Sequence, residues 1–198
     1  MNYLAHAHLS FNNPHWTVGN LLSDFIKGKK QYDFSAGIQQ GIRLHRSIDA
    51  FTDAHAAVAE AKQVFRPAYR LYSGAVVDVV FDYFLATDPE HFATENELLR
   101  FSETVYAHLL AAMPQIPEAL HPFFNHMRQQ NWLYNYRHLA GIEKSLMGLV
   151  RRSQHLTSAG PALEVLQTHQ QHLKQCYQQF YPTLVAHAKW FVQAHAGA

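Results

Sequence analysis

Val76-Val77-Asp78-Val79-Val80-Phe81-Asp82-Tyr83-Phe84-Leu85 is the stretch whose reading decides the fold. Its valines suit a buried strand. Its two aspartates, Asp78 and Asp82, stand four residues apart and argue instead for a buried helix with one polar stripe. The chain on either side supports the helix. Leu21, Leu22, Phe25 and Ile26 recur at helical spacing, and Gly28 is a plausible stop. Asp33 or Ser35 can cap the next helix, whose apolar positions are Ile38, Ile42, Ile48 and Phe51. Another helix is predicted from about Ala54 to Phe65, with Pro67 opening the one that follows. Helical patterns then cover 95–112, 117–131, 136–152 and 161–195, with Pro182 kinking or dividing the last. Residues 153–160 read as a loop. No repeat or long linker interrupts the chain. The sequence therefore predicts an all-α protein, a single domain over 1–198 with seven to nine helices.

Composition narrows the function classes. Apolar residues make up 48% and aromatics 13%, which excludes a disordered chain. The formal net charge is +1 and no basic block occurs, so no nucleic-acid footprint is visible. Cys176 is the single cysteine, which excludes an internal disulfide and fits a reducing cytosol. The start lacks the basic and apolar segments of a signal peptide, and no apolar run is long enough to span a membrane. A soluble, cytoplasmic protein is expected. One feature is unusual: 15 histidines, as many as Asp and Glu together. Histidine binds metals and titrates near neutrality.

In an all-α protein the informative residues are polar ones set among apolar ones. His6 and His8 stand two apart, so at most one points at any given site. Asn20 and Asp24 share a helix face amid Leu21, Leu22 and Phe25. His45 and Asp49 share another, with Asp53 one turn further on. At that spacing two helical side chains can converge on one ion. Capping, an aspartate that orients His45, or an ion pair with Arg46 are the plainer readings. Asp78 and Asp82 would repel each other on so apolar a helix unless a cation, a proton or arginines such as Arg46, Arg66 and Arg70 offset the charge. Together the clusters offer histidine and at least three carboxylates from separate helices. That mixture suits Mn²⁺, Mg²⁺ or Fe²⁺ rather than a structural zinc. The paired-histidine zinc motif, the Walker loop, the nucleophile elbow and the dinucleotide fingerprint are absent. Cys176 has His172 four residues before it, a conceivable Cys–His pair.

Four stretches carry a family resemblance: Met1-Asn2-Tyr3-Leu4-Ala5-His6-Ala7-His8-Leu9, Gly19-Asn20-Leu21-Leu22-Ser23-Asp24-Phe25, the run from Gly41 to Asp53, and Val77-Asp78-Val79-Val80-Phe81-Asp82. Gln130-Asn131-Trp132-Leu133 and Phe180-Tyr181-Pro182 add to it. In this order and spacing the chain resembles the acyl carrier protein phosphodiesterase family over nearly its whole length. The resemblance implies a divergent HD-type metal phosphohydrolase, all-α. The activity it implies is hydrolysis of 4′-phosphopantetheine from holo acyl carrier protein, usually with manganese. By position, Asp24, His45 and Asp78 match the expected metal ligands; His6 or His8, and Asp49 or Asp82, match less closely. One departure stands out: the family commonly has Asp-His-Phe-Leu where this chain has Asp82-Tyr83-Phe84-Leu85.

The mechanism implied is metal-assisted phosphodiester hydrolysis. Arg46 or Lys27 would neutralise phosphate oxygens, and Asp49 or a histidine such as His8 would act as general base or orienter. Because acyl carrier proteins are small and acidic, Lys27, Lys29, Lys30, Arg66 and Arg70 are candidates for binding the substrate protein. Two other readings stand beside this one. The chain could be a phosphohydrolase for another small phosphate ester or nucleotide, or a non-catalytic helical binding protein.

Overall fold

A computed structural model describes residues 1–152 and 158–195. Its α-helices are α1 (Tyr3–His8), α2 (Pro14–Leu22), α3 (Ala36–Ala54), α4 (Ala56–Tyr69), α5 (Ser73–Ala86), α6 (Glu95–Ala111), α7 (His121–Gln129), α8 (Trp132–Asn135), α9 (Leu139–Arg152), α10 (Gly160–Thr168) and α11 (Gln170–His195). Short 3-10 turns lie at Ser23–Phe25, Gly28–Asp33 and Arg70–Tyr72, with two more before α7. No strand occurs among the described residues. The valine-rich stretch is helix α5, as its aspartates predict. No helix among those residues is long and apolar enough to cross a membrane.

The eleven helices among the described residues exceed the seven to nine expected. A break of one or two residues barely shifts the apolar spacing, so periodicity runs through it. One residue, His55, separates α3 from α4, and His169 separates α10 from α11. The pattern over 161–195 therefore divides at His169, and Pro182 lies inside a continuous α11. Pro67 likewise sits in the last turn of α4 and does not open a helix. The helix from Leu21 ends at Leu22, and Ser23–Phe25 tightens into a 3-10 turn that carries Asp24. Most of the expected loop at 153–160 lies outside the described residues.

Some helix starts carry a side-chain cap, but Ser35, at the N-cap position of α3, makes no capping hydrogen bond and Asp33 belongs to the preceding 3-10 turn. The side chain of Asn13 accepts from the Trp16 amide, with Pro14 in the first turn. Thr94 accepts from Glu97 at the start of α6. Arg70 ends α4 at φ 47° and ψ −117°, in territory glycine favours. Holding a residue there costs about 1–3 kcal/mol.

Helix α3 is the central element, lying against both α2 and α11. Its contact with α2 is made by glycines. A β-carbon at Gly19 would collide with the Ile38 carbonyl, and one at Gly41 with the Trp16 carbonyl. The backbones touch, and this brings the Asn20 carbonyl within reach of His45. Beneath the pair runs one continuous apolar core that includes Ile42, Phe65, Phe81 and Phe180.

A candidate metal centre between three helices

Asn20, buried on α2, organises the site. Its side-chain amide donates to the His6 carbonyl and to Ser10 Oγ, which leaves Oδ1 as an acceptor for His6 Nδ1 at 2.8 Å. Its backbone carbonyl accepts from His45 Nδ1, also at 2.8 Å. A carbonyl can only accept, so both histidines carry a proton on Nδ1. Both rings are buried and stack at 4.0 Å with 15° between planes. Each therefore presents Nε2 to the same side.

Carboxylates face those nitrogens. His45 Nε2 lies 3.2 Å from Asp24 and 3.0 Å from Asp49, and His6 Nε2 lies 3.3 Å from Asp49. The aspartate side chains are 63% and 44% exposed, so histidines form the floor and carboxylates a rim open to solvent. His6, His45 and Asp49 each offer a ligand atom within one metal-sized space. The surrounding cavity, about 200 Å³, also touches Met1, Thr52, Asp53 and Asp78.

Electrostatics follow from this packing. Burial works against protonating His45, but Asp24 and Asp49 outweigh it and push its pKa up to about 9. Burial and the neighbouring His45 hold His6 down to about 4. Burial raises Asp49, yet the hydrogen bonds from His45 and His6 prevail and hold it well below the usual carboxylate range. Asp24 is lowered, chiefly by its hydrogen bond from His45. So weakly basic an Asp49 suits a ligand better than a general base. A histidine tied through Nδ1 to a fixed acceptor, with Nε2 facing carboxylates, is the usual surrounding of a metal-binding imidazole.

The remaining sequence candidates lie elsewhere or face other partners. Asp78 borders the cavity, but its Oδ1 pairs with the Met1 amino group at 3.0 Å. Asp82 is fully buried and accepts from the amides of Asn2, Leu4 and Ala5, capping α1. Burial pushes its pKa up to about 7, against the amino terminus and those amides. The two aspartates thus answer their mutual repulsion with backbone amides and an amino group, and not with Arg46, Arg66 or Arg70. His8 turns away from His6: Tyr181 Oη lies 2.8 Å from its Nδ1, and burial, His91 and Lys189 hold its pKa down to about 4. Arg46 is exposed and donates to Gln31 at 2.8 Å. Lys27 is exposed beside the 3-10 turn that begins at Gly28. Arg70 lines a separate groove.

Cys176 and His172 form no relay. His172 Nε2 lies 4.0 Å from the thiol and 3.5 Å from Glu60 Oε1, so one ring nitrogen faces both. Burial and Glu60 push the thiol pKa up, which opposes a thiolate nucleophile. Tyr83 is half-buried against Phe84, 5.5 Å between ring centres, and does not line the cavity. Restoring the family's usual residue with Tyr83→His is accordingly expected to change turnover by less than about twofold, measured as kcat/KM.

Sequence reasoning paired Asn20 with Asp24 on one face but missed that Asn20 sets both histidine tautomers. The available signal was an asparagine set between a glycine and two leucines, in Gly19-Asn20-Leu21-Leu22.

Comparison with known proteins identifies the family. A family model described as acyl carrier protein phosphodiesterase matches residues 1–184. The chain is 30% identical over 189 residues to the acyl carrier protein phosphodiesterase of Photorhabdus laumondii, covering 96% of each. It is 34% identical over 188 residues to that of Klebsiella pneumoniae, covering 93% of this chain and 96% of the relative. For that of Escherichia coli the identity is 30% over 188 residues, covering 95% and 97%. No solved structure matches. With a model matching over that span and relatives covered almost end to end, this chain belongs to the acyl carrier protein phosphodiesterase family.

Proposed function

We propose that this protein is a metal-dependent phosphodiesterase that removes 4′-phosphopantetheine from holo acyl carrier protein, leaving the apo form. The observation that carries the reading is the pair of Nε2 atoms, fixed by Asn20, facing Asp24 and Asp49. Two imidazoles and two carboxylates form a borderline donor set, which fits Mn²⁺ or Fe²⁺ better than Mg²⁺. A divalent ion bound there would polarise a phosphoryl oxygen and lower the pKa of a bound water. His6, His45, Asp24 and Asp49 are the residues proposed to hold it, and Asn20 orients both rings. Asp78 is proposed as a further ligand only if it exchanges its Met1 partner. Asp82 and His8 are proposed to act through packing. The histidine–aspartate centre in an all-α frame supports the expected kinship with HD-type phosphohydrolases. A cytoplasmic location and a part in lipid metabolism go with this reading.

Metal binding should be linked to protons in a defined way. His6 and both aspartates already have lone pairs to offer near neutrality, whereas His45 is protonated until about pH 9. Binding must displace that proton. Calorimetry at pH 7.5 in buffers of different ionisation enthalpy is expected to report release of about one proton per ion. Apparent affinity should rise about tenfold per pH unit up to about pH 9. Release of no proton would mean that His45 is not a ligand. For the activity, holo acyl carrier protein is incubated with the protein and Mn²⁺ and its mass followed. The expected result is loss of the phosphopantetheine mass. An unchanged mass alongside turnover of a generic diester would make another phosphate ester the substrate.

A further inference from the structure

Beside the metal centre lies a second concavity, a groove of about 830 Å³. It runs along the end of α4, the 3-10 turn Arg70–Tyr72 and the start of α5. Its walls combine two chemistries. Tyr69, Leu71 and Tyr72 supply apolar surface, and Lys62, Arg66 and Arg70 supply positive charge. Leu71 is 97% exposed, an extreme value for a leucine. Lys62 is paired with Asp53 at 2.9 Å, whereas Arg66 and Arg70 make no ion pair among the described residues. The groove therefore keeps net positive charge around an unburied apolar side chain. Asp53 lines both the groove and the metal cavity, and stands one helical turn from Asp49.

We infer that this groove is the docking surface for an acidic face of the carrier protein, with Leu71 inserted between its helices and Arg66 and Arg70 meeting its carboxylates. The inference rests on the proposed function, since it takes its occupant from that reading. Charge complementarity points to an acidic partner. An exposed leucine ringed by cations marks the apolar anchor of such an interface. Adjacency through Asp53 lets a group tethered to the docked partner reach the histidine–aspartate cluster. The strained backbone of Arg70 agrees with this placement, because strain of that kind collects where a binding surface is held in shape. The exposed lysines at 27, 29 and 30 line neither this groove nor the metal cavity.

The test separates docking from hydrolysis. Fluorescently labelled holo acyl carrier protein is titrated with the full-length protein, with Leu71→Glu, with the double variant Arg66→Glu/Arg70→Glu and with Lys29→Glu. Each variant is also assayed on a small diester with Mn²⁺. Leu71→Glu is expected to weaken binding at least tenfold, and the double variant to do the same while flattening the salt dependence. Turnover of the small diester should persist in Leu71→Glu. Binding unchanged in both variants overturns the proposal. So does a loss confined to Lys29→Glu, which would move docking to the turn that begins at Gly28. Binding that depends on Leu71, without loss of phosphopantetheine mass, would uphold the groove and defeat the proposed reaction. No binding by the unaltered protein would defeat the groove.

Discussion

His45→Ala is expected to abolish turnover, lowering kcat/KM on holo acyl carrier protein by on the order of a thousandfold. The residue stands where three constraints meet. Its Nδ1 proton is held by the Asn20 carbonyl, its Nε2 faces Asp24 and Asp49, and its ring stacks on His6. Removing it takes away a proposed ligand and a hydrogen-bond partner that lowers the pKa of both aspartates. Truncating this buried ring should cost about 2–4 kcal/mol, less than the roughly 5–15 kcal/mol of a typical folded chain. The variant should therefore fold, which is checked by its circular dichroism and melting profile. It should also lose the proton release that accompanies metal binding. A folded His45→Ala protein with full activity would remove this cluster from the reaction.

Gly19→Ala is expected to be the most damaging single methyl group that can be added near the site. The new β-carbon would collide with the Ile38 carbonyl, a backbone atom that no rotamer change can move. Helices α2 and α3 must then separate. Overpacking of this kind costs about 3 kcal/mol or more, and at roughly 2–4 °C per kcal/mol for a chain of this size Tm should fall by about 10 °C. Separation of the helices would also pull the Asn20 carbonyl from His45 Nδ1, so metal affinity should fall together with stability. Thermal melts with and without Mn²⁺ check both effects. A Tm within two degrees of the parent would mean that the helices do not meet at these glycines.

Much of this protein is legible in its sequence because helical periodicity is local. Valine-rich α5, the apolar stripe of α3 and the opening of α6 can be read from spacing and caps alone. So can the strangeness of Asp24, His45 and Asp49, since charged groups among apolar ones require partners. The order of those motifs along the chain was enough to place it in its family. Helix ends were less legible. Prolines 67 and 182 looked like boundaries, yet each is carried inside a helix whose packing outweighs one lost hydrogen bond.

What spacing could not convey was the rotation of each helix about its axis, which only contacts between distant segments decide. That rotation turns His6 inward and His8 toward Tyr181. It makes Asp82 a cap for α1, and gives Asp78 the Met1 amino group as partner. It also lays Asn20 between two histidines, because glycines let α2 and α3 touch. The sequence by itself determined an all-α chain, its family and the residue types of the candidate metal centre. The tertiary structure decided which of those residues meet, because convergence depends on backbone approach across distant segments, and no local period encodes that.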